Sequence, residues 1–120
     1  MEILNLEGAE DTPKVMLDKG NGIFELSGRS LPEDSAEFYQ PILDWIEGYA
    51  SAPNPSTEFI FKLEYFNTAS SKLILDVLSA LEDIDGVNIT WYFHEDDEDM
   101  EEAGEEFSEL VEIPFEFKTY

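Results

Sequence analysis

Residues 57–72 read TEFIFKLEYFNTASSK, a strand that runs straight into the first turn of a helix. Apolar side chains occupy every second position of the strand: Phe59, Phe61, Leu63 and Tyr65. Such alternation predicts a strand with one buried face, and it leaves Phe66 on the face that is open to water. Either Asn67 or Thr68 can cap the helix, because a side-chain oxygen at this point accepts the first free backbone N–H groups.

The same two periodicities continue on both sides of this stretch. They predict strands at 3–6, 14–18, 22–27, 87–94 and 112–118, and helices at 34–50, 69–83 and 97–110. Ser30 and Glu33 have the spacing of a capping box, either for the first helix or for a preliminary turn before it. Three strands therefore precede three helix–strand units, whose crossovers require parallel pairing in part of the sheet.

The strands alternate instead of forming solid apolar runs, so one face of the sheet should be wet and should carry Tyr92. The helices should then cover the opposite face. We predict an α/β fold of two layers, a mixed β-sheet with about three helices on one face. A chain of 120 residues favours a single domain, here residues 1–120.

The charge balance excludes several classes of function. The chain has 6 basic and 29 acidic residues, a net charge of −23, which opposes general binding to nucleic acid or to anionic lipid. It has no cysteine, no signal-peptide pattern and no membrane-spanning run, so we expect a cytoplasmic protein. No motif indicates a cofactor or a metal site.

One segment concentrates this charge. Residues 95–109 hold ten acids and no base: Glu95, Asp96, Asp97, Glu98, Asp99, Glu101, Glu102, Glu105, Glu106 and Glu109. The segment is interpreted either as the solvated face of an amphipathic helix or as a docking surface for a basic partner. Acids in the first turn suit the helix dipole, whereas those in the later turns do not.

The corner from Asn67 to Lys72 is the principal candidate site. It places the hydroxyls of Thr68, Ser70 and Ser71 at the positive end of a helix, where free N–H groups and the dipole favour a phosphate. Lys72 adds a cation at the end of the helix that the dipole disfavours. The corner is therefore either a helix cap alone or a phosphorylation site with its surroundings.

His94, the only histidine, ends a predicted strand beside acids. No motif for nucleophilic, metal or nucleotide chemistry accompanies it, so we do not expect an enzyme. Two alternatives stay open. One is a small enzyme or anion-binding protein that uses the Asn67–Lys72 corner with His94 as a base, and the other is an acidic nucleic-acid mimic.

Several segments in order resemble the SiaC family of bacterial regulatory phosphoproteins. They are residues 35–46 (SAEFYQPILDWI), 65–72 (YFNTASSK), 91–100 (WYFHEDDEDM), the pair Thr12-Pro13 and the ending Glu112–Phe115. The resemblance covers nearly the whole chain and implies a non-enzymatic cytoplasmic switch protein with a STAS-like architecture. In the family, a threonine in an Asn-Thr-Ser-Ser-Ser-Lys-like motif is phosphorylated, and the matching residue here is Thr68. The motif departs at Ala69, where a serine is common.

The resemblance also implies partners. A protein kinase would modify Thr68 and a PP2C-type phosphatase would reverse this. The unphosphorylated form would bind and activate a diguanylate cyclase, which raises cyclic di-GMP and promotes biofilm formation. Partner contacts would surround the phosphosite, at Asn67, Ser70, Ser71, Lys72 and His94.

Topology adds one expectation about the switch. If strands 57–66 and 87–94 are neighbours, Thr68 lies near His94 and near the start of the acidic helix. A phosphate would add roughly two negative charges there. We therefore expect a switch that acts by charge and steric change at a contact surface, without refolding.

Overall fold

A computed structural model describes every residue from Met1 to Tyr120. The strands are β1 (Leu4–Leu6), β2 (Lys14–Asp18), β3 (Ile23–Ser30), β4 (Thr57–Phe66), β5 (Val87–Phe93) and β6 (Phe115–Thr119). The helices are α1 (Ser35–Ala50), α2 (Thr68–Glu82) and α3 (Glu98–Leu110). No helix has both the length and the apolar character needed to cross a membrane.

One six-stranded sheet holds the strands in chain order, β1-β2-β3-β4-β5-β6. The first three strands pair antiparallel, and β3, β4, β5 and β6 pair parallel. A parallel neighbour can be reached only by a crossover, and α1, α2 and α3 each supply one. The predicted mixed α/β sheet with three helices is confirmed.

The core lies between the helices and one face of the sheet. Every second strand side chain faces it, and Phe61, Ile89 and Trp91 are fully buried there. From the helices, Ile42, Ile46, Ile74, Val77 and Leu78 complete the same core. The opposite face of the sheet carries no helix and is called the open face below.

Near its carboxyl end β4 departs from the predicted alternation. Gly28 of β3 pairs with Leu63, but the next residue, Arg29, pairs with Tyr65, so Glu64 is an extra residue on β4. This bulge reverses which face the following side chains occupy. Tyr65 therefore points outward and is 46% exposed, with the Arg29 guanidinium 5.5 Å from its ring centre. Phe66 turns inward and packs on Phe107, so the expected exposure of Phe66 and inward position of Tyr65 were wrong.

The predicted capping box before α1 is also wrong. The N-cap is Asp34, whose carboxylate accepts the Glu37 backbone N–H at 3.0 Å. Ser30 belongs to β3 instead and is completely buried. Its hydroxyl serves a polar network described in the next section.

Candidate functional site

The corner between β4 and α2 is capped by one side chain. Asn67 Oδ1 accepts the Ser70 backbone N–H at 2.8 Å, and the Asn67 carbonyl accepts the Ser71 N–H at 3.0 Å. Of the two candidate caps, the structure therefore uses Asn67. Thr68 is the first residue of α2 and is exposed, so its hydroxyl is free of the capping role.

Ser70 lies inside the protein. Its hydroxyl donates to the Ser30 carbonyl and accepts from the Ser30 hydroxyl, both at 2.9 Å, and Ser30 Oγ lies 2.7 Å from the Tyr39 hydroxyl. Since Ser70 is completely buried, the expectation that it contacts a partner is wrong. It instead ties the start of α2 to β3 and α1, which fixes the position of Thr68 two residues away.

Burial, partly offset by the hydrogen bonds from Ser30 and Ser70, raises the pKa of Tyr39 to about 12. An unfolded chain ionises its tyrosines near pH 10, so above that pH the unfolded state loses the Tyr39 proton first. We expect the free energy of unfolding to fall between about pH 10 and 12 by up to about 1.4 kcal/mol per pH unit from this group. Urea unfolding across that range checks this. Tyr39→Phe is the control and should remove this part of the pH dependence. If the free energy of unfolding of the variant and of the parent fell equally with pH, Tyr39 would not be its source.

Beside the corner, a groove of about 210 Å³ separates α2 from α3. Its lining residues are Phe66, Ser71, Lys72 and Leu75 on one side and Ala103, Glu106, Phe107 and Leu110 on the other. We call this the α2–α3 groove. Thr68 precedes Ser71, Lys72 and Leu75 by three, four and seven residues, spacings that share one helix face. Thr68 therefore stands on the groove side of α2, at the end nearest the capped corner.

A second depression of about 230 Å³ continues this surface towards the start of α3. It is lined by Glu64, Tyr65, Phe66, Asp97, Asp99, Met100 and Ala103. Phe66 and Ala103 line both hollows, so the two adjoin along α3, and we call them together the channel. Acids stand at both ends of this channel, at Asp97 and Asp99 and again at Glu106.

The acidic helix α3 is held by few side chains. Asp97 caps it by accepting the Met100 N–H at 3.0 Å, and Trp91 Nε1 donates to the Met100 carbonyl at 3.0 Å. Only Met100, Gly104 and Phe107 of the helix are buried. The acids therefore lie on its outer faces, as both sequence interpretations of this segment require.

Lys72 is exposed and has no ion-pair partner. The one ion pair in the structure joins Lys118 to Glu116 at 4.0 Å. Lys72 lies four residues after Thr68, so the two side chains are neighbours on the helix surface. A phosphate on Thr68 would meet this unpaired ammonium.

His94 belongs to a different cluster. Its ring centre is 4.1 Å from that of Tyr120, and its Nδ1 lies 3.3 Å from the Tyr120 carbonyl oxygen. Partial burial, with the charges of Glu64 and Asp97, raises the pKa of Tyr120. His94 shares no hydrogen bond, ring contact or hollow with residues 67–72. No group of three or more histidine, aspartate or glutamate side chains is arranged to hold a metal ion.

The apolar part of the site was not predicted from the sequence. Phe66 and Ala103 gave no signal, because Phe66 reaches the groove only through the bulge and Ala103 reads as an ordinary core position. A signal was present in Leu75, because the apolar stripe predicted for this helix consists of Leu73, Ile74, Val77, Leu78 and Leu81 and leaves Leu75 outside it, on the side that faces α3.

Comparison with known proteins gives concordant results. The model of the SiaC family of regulatory phosphoproteins matches residues 6–120. An uncharacterized protein of Pseudomonas aeruginosa strain UCBPP-PA14, PA14_02130, is 31% identical over 119 residues, which cover 96% of this chain and 94% of that protein.

Solved structures match over almost the full length. The crystal structure of apo-SiaC from Pseudomonas aeruginosa has a TM-score of 0.89 at 30% identity and covers 98% of this chain and 99% of that one. A chain in the crystal structure of the diguanylate cyclase SiaD in complex with its activator SiaC, from the same species, has a TM-score of 0.90 at 30% identity. It covers 98% of this chain and 99% of that one.

Proposed function

Because this chain belongs to the SiaC family of regulatory phosphoproteins, we propose that Thr68 is its phosphorylation site and that the phosphate controls docking of a partner in the α2–α3 groove. The observation that carries the proposal is the position of Thr68. It is exposed, it is relieved of capping by Asn67, and it lies on the helix face that lines the groove. A phosphate there stands directly beside the docking surface.

The charge distribution of the groove favours a partner segment in which an apolar side chain is flanked by basic side chains. The groove offers Phe66, Ala103 and Phe107 for apolar contact, and acids stand at both ends of the channel. The unmodified form would bind such a segment. Phosphate adds roughly two negative charges and three bulky oxygens at the groove mouth, where Lys72 and the free N–H groups of α2 can hold it in place.

The effect is local, because the corner is already fixed. Asn67 accepts the backbone N–H of Ser70, the third residue of α2, and the Ser70 hydroxyl donates to the Ser30 carbonyl in the interior. Modification of the Thr68 hydroxyl breaks none of these bonds. The switch therefore changes charge and access at the groove and leaves the fold in place.

The partner we propose is a diguanylate cyclase, by analogy with SiaD, which is bound by its activator SiaC in the structure of that complex. A cytoplasmic kinase and a PP2C-type phosphatase would set the phosphorylation state. Asn67, Ser71 and Lys72 are the proposed surroundings of the phosphate. His94 stands apart from them, and we propose that it contacts the partner only at the edge of this surface.

The test is phosphorylation followed by a binding measurement. After incubation with the cognate kinase and ATP, mass spectrometry should place phosphate on Thr68, and calorimetry should show that the cyclase binds the modified form at least tenfold more weakly. Thr68→Val keeps the side-chain shape and the Asn67 cap, so it should abolish modification without unfolding the protein. Ser71→Ala is the matched control and should be modified normally. Modification that persists in Thr68→Val would refute the assignment.

A further inference from the structure

The open face of the sheet has a composition unlike the rest of the molecule. It carries four of the six basic residues, Lys14, Arg29, Lys62 and Lys118, and five acids, Asp18, Glu25, Glu58, Glu64 and Glu116. Those charges nearly cancel, to −1, so the rest of the chain holds two bases and 24 acids and accounts for −22 of the net charge of −23. The open face is therefore the one large surface on which two copies of this chain can meet without strong repulsion.

The basic and acidic side chains on this face lie in separate rows that cross the strands. Lys14 pairs with Ser27, Ser27 pairs with Lys62, and Lys118 pairs with Tyr92, the ring next to Lys62. Three lysines therefore form one transverse row, which we call the lysine row. The adjoining row, two residues nearer the amino ends of the parallel strands, runs Glu25, Ile60, Thr90 and Glu116.

Two of the three lysines in this row have no ion pair within the chain, and only Lys118 has one, with Glu116 at 4.0 Å. Lys62 Nζ lies 4.6 Å from the ring centre of Tyr120 and 5.4 Å from that of Tyr92, with no carboxylate partner. Arg29 likewise lies on Tyr65, and Lys14 has no ion pair. In a chain with 29 acids, bases held on aromatic rings keep their charge available to an outside acid.

We propose that a second copy of this chain covers the open face, the two sheets packing face to face about a two-fold axis. With the strands of the two copies antiparallel and the axis lying between the two rows, the lysine row of each copy lies over the adjoining row of the other, which carries Glu25 and Glu116. A two-fold interface is self-complementary, so each favourable pairing occurs twice. Apolar area comes from Tyr92 and Ile60, which lie within the two rows, and from Tyr65, which lies beyond the lysine row.

The size of the face fits a weak, reversible dimer. Six strands about 4.8 Å apart and about 17 Å long present roughly 500 Å² per copy, or about 1,000 Å² in all. That total is at the lower limit for a specific interface. The long-range repulsion between copies is screened over about 8 Å at physiological salt, so association should increase as salt rises from very low concentrations.

Sedimentation equilibrium of the unmodified full chain, from about 10 to 500 µM, tests the proposal. The average mass should rise towards that of a dimer with concentration, and more steeply at 150 mM than at 10 mM NaCl. A monomer throughout these conditions would overturn the proposal.

Ser27, in the lysine row, allows two opposite substitutions. Ser27→Lys extends the row and should tighten association, whereas Ser27→Glu interrupts it and should weaken association roughly tenfold, since each change occurs twice in the dimer. Ser79 is exposed on α2, away from the sheet, so Ser79→Lys and Ser79→Glu alter the net charge equally and control for it. Circular dichroism should show that all four variants are folded. Equal effects at Ser27 and Ser79 would refute the open face as the interface.

Discussion

Replacing Gly104 by alanine is expected to lower the free energy of unfolding by about 1–3 kcal/mol, although the substitution improves helix propensity. A Cβ at this position would stand 2.5 Å from Cδ1 of Trp91 and 2.9 Å from Cε1 of Phe117. Trp91 is completely buried and donates its indole N–H to the Met100 carbonyl, so it cannot move aside cheaply. Either α3 must lift away from β5 or the indole must leave its position.

Gly48 provides the matched control for this prediction. It is also a helical glycine, but a Cβ there would meet only the terminal methyl of Met1, at 3.3 Å. Gly48→Ala should therefore stabilise the protein by about 0.5–1 kcal/mol. Urea unfolding followed by tryptophan fluorescence measures both variants. Stabilisation by Gly104→Ala would contradict the prediction, because it would mean that α3 can accept a methyl group against Trp91 without cost.

The second large effect concerns partner binding. Ala103 lines both hollows and is only partly buried, so Ala103→Trp should place an indole ring in the channel without displacing the core. If a partner segment binds in the channel, the affinity of the Ala103→Trp variant for the cyclase should fall about 30-fold or more. A loss of this size is expected when a central contact of an interface is removed. Calorimetric titration of the cyclase with the unmodified protein measures this.

A tryptophan at an exposed position away from the channel is the control. Ala50 ends α1 and is exposed, so Ala50→Trp should leave cyclase affinity unchanged. The free energy of unfolding of both variants should stay within about 1 kcal/mol of the parent. If Ala103→Trp bound the cyclase with full affinity, the docking surface could not lie in the α2–α3 groove.

The elements of this fold were predictable because their signals are local. Alternation in β4 and the 3.6-residue spacing in α2 gave boundaries within one residue of those observed, Thr57–Phe66 and Thr68–Glu82. What failed depended on pairing between distant segments. Alternation alone places Tyr65 inward, and only the register with Arg29 shows that Glu64 is an extra residue.

Polar residues were harder to place than apolar ones. Ser30 has a good capping-box spacing, yet β3 extends to include it because its hydroxyl finds Tyr39 and Ser70 in the interior. Likewise, the sequence shows Ser70 as one of three hydroxyls at the corner. Only its hydrogen bond to Ser30, which lies 40 residues earlier in the chain, explains why it is buried. Thr68 is placed at the start of α2 as predicted, whereas the groove beside it requires the packing of α3.

The order of the strands bears on how the protein is made. Each strand after the first pairs with the strand just before it in the chain. When a strand has been synthesised, the preceding strand with which it pairs is therefore already present. A chain emerging from the ribosome can therefore add each strand to a sheet that already exists, with the intervening helix closing over it. Because α3 follows β5 in the chain, the groove beside Thr68 forms only after α3 has been synthesised, and a shorter nascent chain lacks the surface proposed for docking.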